Sequence, residues 1–326
     1  MPPTFPDSHP EAFARDVLAG LGTSPKSLKP KYFYDAAGSE LFEEITRQPE
    51  YYLTRTEAGL LRQYAPVLSE LMGKGVSVVE LGSGSSAKTA ILLESLLETS
   101  KGLHYLPIDI SATMLRQTAD RLDARYPALD ITPIASPYEA GLKRASTLVA
   151  EDAQAADRML VLFLGSSIGN MEYDESVQFL KSLREHLEPR DAFLIGFDLQ
   201  KDVAILNAAY NDAAGVTERF NFNVLARINT ELGGEFDRQR FVHQAFYNEA
   251  AGRIEMHLRS QGRQQVAVAA CQRSFAFAAE ETIHTESSYK YTLASIERLA
   301  VSAGFRVRET FTDEKSWFAL SLFTPV

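Results

Sequence analysis

The sequence predicts an α/β fold: a Rossmann-like doubly wound sheet with a C-terminal antiparallel strand pair, plus an α+β accessory domain. Three observations carry this. From Ser77 onward, short apolar runs alternate with amphipathic stretches, the pattern of parallel strands joined by crossover helices. The run Val78-Val79-Glu80-Leu81 passes straight into Gly82-Ser83-Gly84-Ser85-Ser86-Ala87-Lys88, a buried strand that ends in a glycine turn and opens a helix. Finally, Phe305 to Thr312 and Trp317 to Phe323 read as two strands joined by Asp313-Glu314-Lys315-Ser316.

Taken in order, strands are expected near 77–82, 103–109, 130–134, 159–164 and 192–198, and helices near 87–99, 111–125, 174–187 and 202–213. Thr292 to Ala303 is a further helix, stopped by Gly304. Two segments stand outside this sheet. Residues 1 to about 60 precede the glycine turn and carry Tyr32-Phe33-Tyr34 and Tyr51-Tyr52; residues from about 200 to 286 hold strand-like runs at 241–248, 253–259 and 264–277, with turns at Gly252 and Gly262. The expected division is therefore a nucleotide-binding domain over 61–200 and 287–326, and an accessory substrate-binding domain over 1–60 and 201–286.

Composition narrows the function. A chain of 326 residues with 45% hydrophobic and 23% charged residues suits one large elaborated domain or two domains. A net charge of -10 with no clustered Lys or Arg argues against nucleic acid and anionic membrane as partners. The single Cys271 cannot form an internal disulfide, and six dispersed histidines offer no metal-ligand spacing. No apolar run approaches the roughly 20 residues that span a bilayer, and Met1 to Arg15 lacks a basic-then-apolar leader pattern. The expectation is a cytoplasmic protein, a monomer, acting on a small molecule without a metal.

The glycine turn binds a nucleoside. Gly82, Gly84 and Ala87 satisfy a loose dinucleotide pattern, so a nicotinamide cofactor stays open. Glu80, and Asp109 at the end of the next strand, favour S-adenosylmethionine: the turn takes the methionyl part, and the Asp109 carboxylate accepts both ribose hydroxyls. The distance in sequence from Gly82 to Asp109 exceeds the roughly 20 residues usual in dinucleotide folds. The C-terminal strand pair is typical of methyltransferases and less expected of dehydrogenases. Asp109 also suits a cap for the helix from Ser111, and Lys88 a solvated first-turn residue. The fourth strand ends in Leu164-Gly165-Ser166-Ser167-Ile168-Gly169-Asn170, a run that is either a plain turn or a small-residue loop facing the ligand crevice, where Asn170 supplies donor and acceptor.

Several segments together resemble the ergothioneine-pathway histidine Nα-methyltransferases. They are Lys31 to Ser39, Leu41 to Thr46, Glu50-Tyr51-Tyr52, Thr54 to Glu57, Glu80 to Gly84, Gly165 to Asn170, Ile254-Glu255-Met256 and His284-Thr285-Glu286, in family order over nearly the whole chain. The resemblance implies three successive methyl transfers from S-adenosylmethionine to the α-amino group of L-histidine, giving hercynine. It implies that Gly82, Ser83, Gly84, Lys88, Asp109 and Tyr138 contact the cofactor, and that Asn170 and Tyr210 hold the substrate carboxylate. Tyr51, Glu286 and Ser288 then read the imidazole with Met256 packed on the ring, while Tyr34, Phe42 and the Gly165 carbonyl surround the amine. One departure is visible: where the family often carries an acid before the aromatic that cradles adenine, this chain has Pro137-Tyr138, so Tyr138 can stack without an acidic neighbour for the adenine amino group.

The chemistry agrees with these residue types. Methyl transfer from a sulfonium needs alignment and exclusion of water, with no covalent nucleophile. The amine must be neutral, a form favoured by like charge and desolvation. Tyr34, Tyr51, Tyr52 and Phe42 offer faces to the final quaternary cation, though the same aromatics suit an ordinary core. Glu286 alone fits indole as well as imidazole, which leaves tryptophan or a prenylated tryptophan as alternative substrates; Ser288 can satisfy the second nitrogen that indole lacks. In isolation Glu286 also reads as a surface charge, and His284 as structural.

Overall fold

The computed structural model describes residues 10–100, 102–151 and 158–326, and the chain divides into two compact units. One is Leu53–Gln200 with Tyr291–Val326; the other is Met1–Tyr52 with Lys201–Lys290. These limits differ from the expected ones at two places. The helix Leu53–Met72 belongs whole to the first unit, and the strand Thr282–Tyr289 runs through the expected cut at 286, keeping Ser287 to Lys290 with the second.

The first unit is built on an eight-stranded sheet. Its order is Phe305–Thr312, Phe318–Pro325, Ala192–Asp198, Arg158–Phe163, Val76–Leu81, Leu103–Asp109 and Leu129–Ile131, with Ile134–Ala135 also pairing to Leu103–Asp109. Val76–Leu81 is buried at all six positions and has parallel neighbours on both sides, as a strand covered on both faces must be. From this centre the chain builds outward through Leu103–Asp109, then returns to build the other side through Arg158–Phe163 and Ala192–Asp198. That reversal opens a crevice beyond the carboxyl ends of Val76–Leu81 and Arg158–Phe163, where the glycine turn and the loop after Phe163 lie. Phe318–Pro325 is antiparallel to both neighbours and closes the sheet. Leu60, Leu61, Leu68, Leu92, Leu93, Val78, Leu160, Leu320 and Leu322 belong to one buried core cluster beneath these strands.

Two expected elements of this unit differ. The run at 130–134 is broken into Leu129–Ile131 and Ile134–Ala135, because Pro133 has no N–H for the ladder. A helix, Tyr138–Glu151, follows where none was expected.

The second unit has a four-stranded sheet in the order Lys26–Ser27, Thr282–Tyr289, Arg253–Ser260 and Phe241–Asn248, plus a separate hairpin of Gln264–Val268 with Arg273–Phe277. The expected single run at 264–277 folds back at Gln272, which takes φ +47°. The expected helix at 202–213 is shorter, Val203–Ala209, and a second one, Val216–Leu232, follows. The break has a clear cause: Gly215 turns at φ +65°, and the Asp212 carboxylate accepts from the N–H groups of Val216 and Thr217. Val216–Leu232 carries buried polar side chains that hold the leading segment. Asn223 donates to the Phe33 carbonyl and the Asp35 carboxylate, and Arg227 donates to the Tyr32 carbonyl.

Among the described residues no helix is long and apolar enough to cross a membrane, and no cluster of His, Cys, Asp and Glu could hold a metal ion.

Candidate active site

In the first unit, the strand Val76–Leu81 delivers its acid into the core rather than to solvent. Glu80 is buried, accepts from the Thr89 and Tyr105 hydroxyls, and is pushed up to about 7 by burial, against the lowering effect of those hydrogen bonds. Tyr105 in turn meets the Ser86 hydroxyl at 2.7 Å. The glycine turn is thus pinned from below.

From beside, it is pinned by Asp109. One carboxylate oxygen accepts from Gly84 N at 3.0 Å and the other from Ser111 N at 2.9 Å, while the helix that follows is capped by Ser111 itself. Asp109 therefore joins the glycine turn to the next helix, and each oxygen keeps a further lone pair. Gly82, at φ +69°, sits where a Cβ would lie 2.9 Å from the Tyr138 hydroxyl. Tyr138, half-buried, lies edge-on to Phe163, and desolvation with the nearby Asp109 charge pushes its phenol up to about 12. The Ser83 hydroxyl oxygen is buried without a hydrogen-bond partner.

Lys88 is not a solvated surface residue. Its ammonium pairs with Glu57, which is wholly buried and also accepts from Gly165 N at 2.8 Å. One carboxylate thereby ties the start of the helix Thr89–Thr99 to the loop after the fourth strand. That loop turns at Gly165 and Ser166, both at positive φ, and ends in a short 3-10 turn, Ser167–Asn170. Its place is fixed by the Ser166 hydroxyl, which accepts from Asp198 N, and by Tyr291, which donates to the Ile168 carbonyl.

In the second unit, a β-bulge at Thr285 sets the geometry. Before it, His284 pairs with His257; after it, Glu286 pairs with Met256 and Ser288 with Ile254. Thr285 is held by the Asn221 side chain and the Met256 carbonyl. Glu286, Ser288 and Lys290 then alternate onto the same face as Met256, all of them buried. One oxygen of Glu286 is buried with no hydrogen-bond partner, and burial raises this acid to about 7 although the Lys290 charge pulls it down. The Ser288 hydroxyl accepts from both the Tyr210 hydroxyl, at 2.9 Å, and the Lys290 ammonium, at 2.8 Å. Lys290 also donates to the Tyr210 hydroxyl.

The same unit gathers aromatic side chains. Tyr34 lies edge-on to Phe42, with ring centroids 5.7 Å apart, and Phe42 lies edge-on to Tyr51 at 6.3 Å; Phe220 packs against both Tyr34 and Phe42. Tyr34 is the exposed member.

The expected residues thus fall into two sets. Gly82, Ser83, Gly84, Lys88, Asp109, Tyr138, Gly165 and Asn170 lie in the first unit, and Tyr34, Phe42, Tyr51, Tyr210, Met256, Glu286 and Ser288 in the second. The Tyr210 hydroxyl, expected at a substrate carboxylate, is engaged with Ser288 and Lys290. Sequence reasoning gave no role to Glu57 or Lys290. Both left a signal: Glu57 interrupts the apolar face of its helix beside Leu53, Leu60 and Leu61, and Lys290 continues the alternation begun by Glu286 and Ser288.

A parallel sheet closed by an antiparallel pair, with a glycine turn pinned by two acids at its switch point, defines the class of S-adenosylmethionine-dependent methyltransferases. The model for histidine-specific, S-adenosylmethionine-dependent methyltransferases matches residues 13–325, and the chain belongs to that family. It is 43% identical over 316 residues to a histidine N-alpha-methyltransferase of Mycolicibacterium smegmatis, covering 97% of this chain and 96% of the relative. It is 42% identical over 311 residues to one of Mycobacterium tuberculosis, covering 95% and 94%. Ergothioneine biosynthesis protein 1 of Neurospora crassa is 31% identical over 289 residues, which is 86% of this chain and 31% of that protein.

The cofactor is S-adenosylmethionine, and the first unit fits it. The orphaned Ser83 hydroxyl, the spare lone pairs of Asp109 and the bare Gly82 beside Tyr138 make a polar cradle whose donors and acceptors suit a nucleoside.

Proposed function

We propose that the protein transfers three methyl groups in succession to the α-amino group of free L-histidine, giving hercynine on the route to ergothioneine, as a cytoplasmic monomer. One observation carries the reading: a buried acid, Glu286, whose unpartnered oxygen shares a face with the Ser288 hydroxyl and Met256. A carboxylate and a hydroxyl on one face match a ring with an N–H on one nitrogen and a lone pair on the other, which is neutral imidazole and not indole. The names of the relatives point the same way.

On this reading Gly82, Ser83, Gly84, Lys88, Asp109 and Tyr138 hold the cofactor, which supplies an electrophilic methyl on a sulfonium when bound. Asn170 and Tyr210 hold the substrate carboxylate, Tyr51, Glu286 and Ser288 read the imidazole with Met256 packed on the ring, and Tyr34, Phe42 and the Gly165 carbonyl receive the amine. Three residue tasks follow. The Tyr34, Phe42 and Phe220 rings keep water from the amine, and desolvation favours its neutral, nucleophilic form. The Gly165 carbonyl accepts an amine N–H and so aims the lone pair away from itself. The first two transfers each leave an ammonium that must shed a proton to water before the next; the tertiary amine that takes the third methyl already has no N–H for Gly165, and aromatic faces stabilise the permanent cation it becomes by about 0.5–2 kcal/mol each.

The test offers the full-length protein an equimolar mixture of histidine and tryptophan with methyl-labelled S-adenosylmethionine. Mass spectrometry is expected to find three labels on histidine and none on tryptophan. Absence of label on histidine would overturn the proposal; an end point of one or two labels would overturn the trimethylation.

A further inference from the structure

The acceptor side of the Ser288 hydroxyl is fully committed within the protein. A serine hydroxyl has one O–H and two lone pairs, and both lone pairs of Ser288 are occupied here, one by the Tyr210 hydroxyl and one by the Lys290 ammonium. The remaining function of that hydroxyl is to donate. Lys290 has only donors, so it cannot accept this proton, and it also caps the Tyr210 oxygen, which turns the Tyr210 O–H toward Ser288. Lys290 is buried, and no substrate contact is needed for it to act.

We infer that Lys290 is a positioning residue for substrate selection: it locks Ser288 as a donor, so that the pair Glu286 and Ser288 accepts one ring N–H, gives one hydrogen to the opposite ring nitrogen, and selects neutral imidazole. The inference rests on the histidine reading above. A second effect adds to the first. The positive charge of Lys290 opposes the rise that burial imposes on Glu286, holding it nearer to its accepting, ionised form at neutral pH. The other titratable groups around Glu286 in this unit leave Lys290 as the charge that acts on it. Tyr210 faces the same row, and His243 donates to the Tyr210 carbonyl. Glu255 and His257, on the neighbouring strand, pair with Ser287 and His284 and so lie on the opposite face of the sheet.

The experiment compares the full-length enzyme with K290M, K290Q and K290R in steady-state assays across pH, with folding checked by circular dichroism. For K290M the histidine KM is expected to rise about tenfold to hundredfold, the loss from one mis-set buried polar contact, with the S-adenosylmethionine KM unmoved. The pH at which kcat/KM for histidine reaches half its maximum moves alkaline in K290M and K290Q, because the charge that lowers Glu286 is gone. K290Q, which keeps a donor, loses less affinity than K290M, and K290R restores both readouts. Unchanged histidine KM and pH midpoint in folded K290M overturn the inference, as does a parallel rise of both KM values that K290R fails to reverse.

A second measurement needs no variant. A pyrrole analogue of histidine keeps an N–H for Glu286 but offers Ser288 no lone pair, and is expected to bind the unaltered enzyme about tenfold more weakly than histidine. Equal binding overturns the donor assignment. If the unaltered enzyme does not methylate histidine at all, the proposed function itself fails, an outcome distinct from either of these.

Discussion

The acids around the glycine turn and the acid Glu286 of the second unit are treated in opposite ways. In the sheet unit every acid near the glycine turn, buried or half-buried, is spent on the protein itself: Glu80 on two hydroxyls, Glu57 on Lys88 and Gly165 N, and Asp109 on Gly84 N and Ser111 N. In the other unit Glu286 is buried and keeps an oxygen with no partner. The first arrangement fixes backbone; the second holds an unmet demand that a ligand can satisfy. An orphaned buried carboxylate oxygen destabilises a fold, so its retention on the face that also carries Ser288 and Met256 supports binding as the reason for that residue.

Substitutions can break this contrast. The largest expected effect is Glu57→Ala, which leaves Lys88 and Gly165 N without their shared acceptor; unfolding in urea should show a loss of about 3 kcal/mol. A loss no greater than that of an exposed ion pair would mean the acid is not an anchor. Next comes Glu286→Gln, which should weaken histidine binding about tenfold to hundredfold in calorimetry while S-adenosylhomocysteine binds as before.

The same variant has an opposite signature in stability. Glu286 stands at about 7 in the folded chain against an ordinary 4.5, so the folded state favours its proton. The stability this contributes is complete below about 4.5 and is lost as pH rises through about 7. Glutamine does not titrate. The stability of Glu286→Gln relative to the parent should therefore climb between those two pH values and level off above them, as read by thermal melts at several pH values. A flat difference would show that the acid is not held in its protonated form.

Smaller effects complete the series. Gly82→Ala forces a side chain onto a positive φ and against the Tyr138 hydroxyl, at a cost of about 1–2 kcal/mol in stability and with weaker cofactor binding. Arg219→Ala removes a half-exposed pair with Glu44, neither anchor nor reader, and should change the melting free energy by less than about 1 kcal/mol.

Much of the sheet unit was legible because its signals are local. An all-buried run ending in Gly82-Ser83-Gly84, and a terminal strand pair around Asp313 to Ser316, declare themselves in a few residues. The second unit was legible mainly through the family resemblance. Its strand Thr282–Tyr289 carries Thr, His, Glu and three further polar residues, so no alternation of apolar and polar side chains announces it. The split of the helix expected at 202–213 depends on Asp212 capping across four and five residues, and the missed helix Tyr138–Glu151 begins directly after Pro137 and buries the small residues Gly141 and Ala145 beside Leu142. The roles of Glu57 and Lys290 were hidden for a further reason: each acts on atoms far from it in the chain, Gly165 N for one and the Tyr210 hydroxyl for the other, and such pairings exist only once the fold has formed.

The extra residue at Thr285 has a consequence for how substrate choice could change. On the proposed reading Glu286 and Ser288, with Lys290 behind them, stand at every second position along one ribbon, and each can be exchanged without turning Ser287 or Tyr289 between them. Removing the extra residue would instead turn all three to face the far side, so new specificities are within reach of point changes there, and a single-codon deletion would erase the recognition surface altogether.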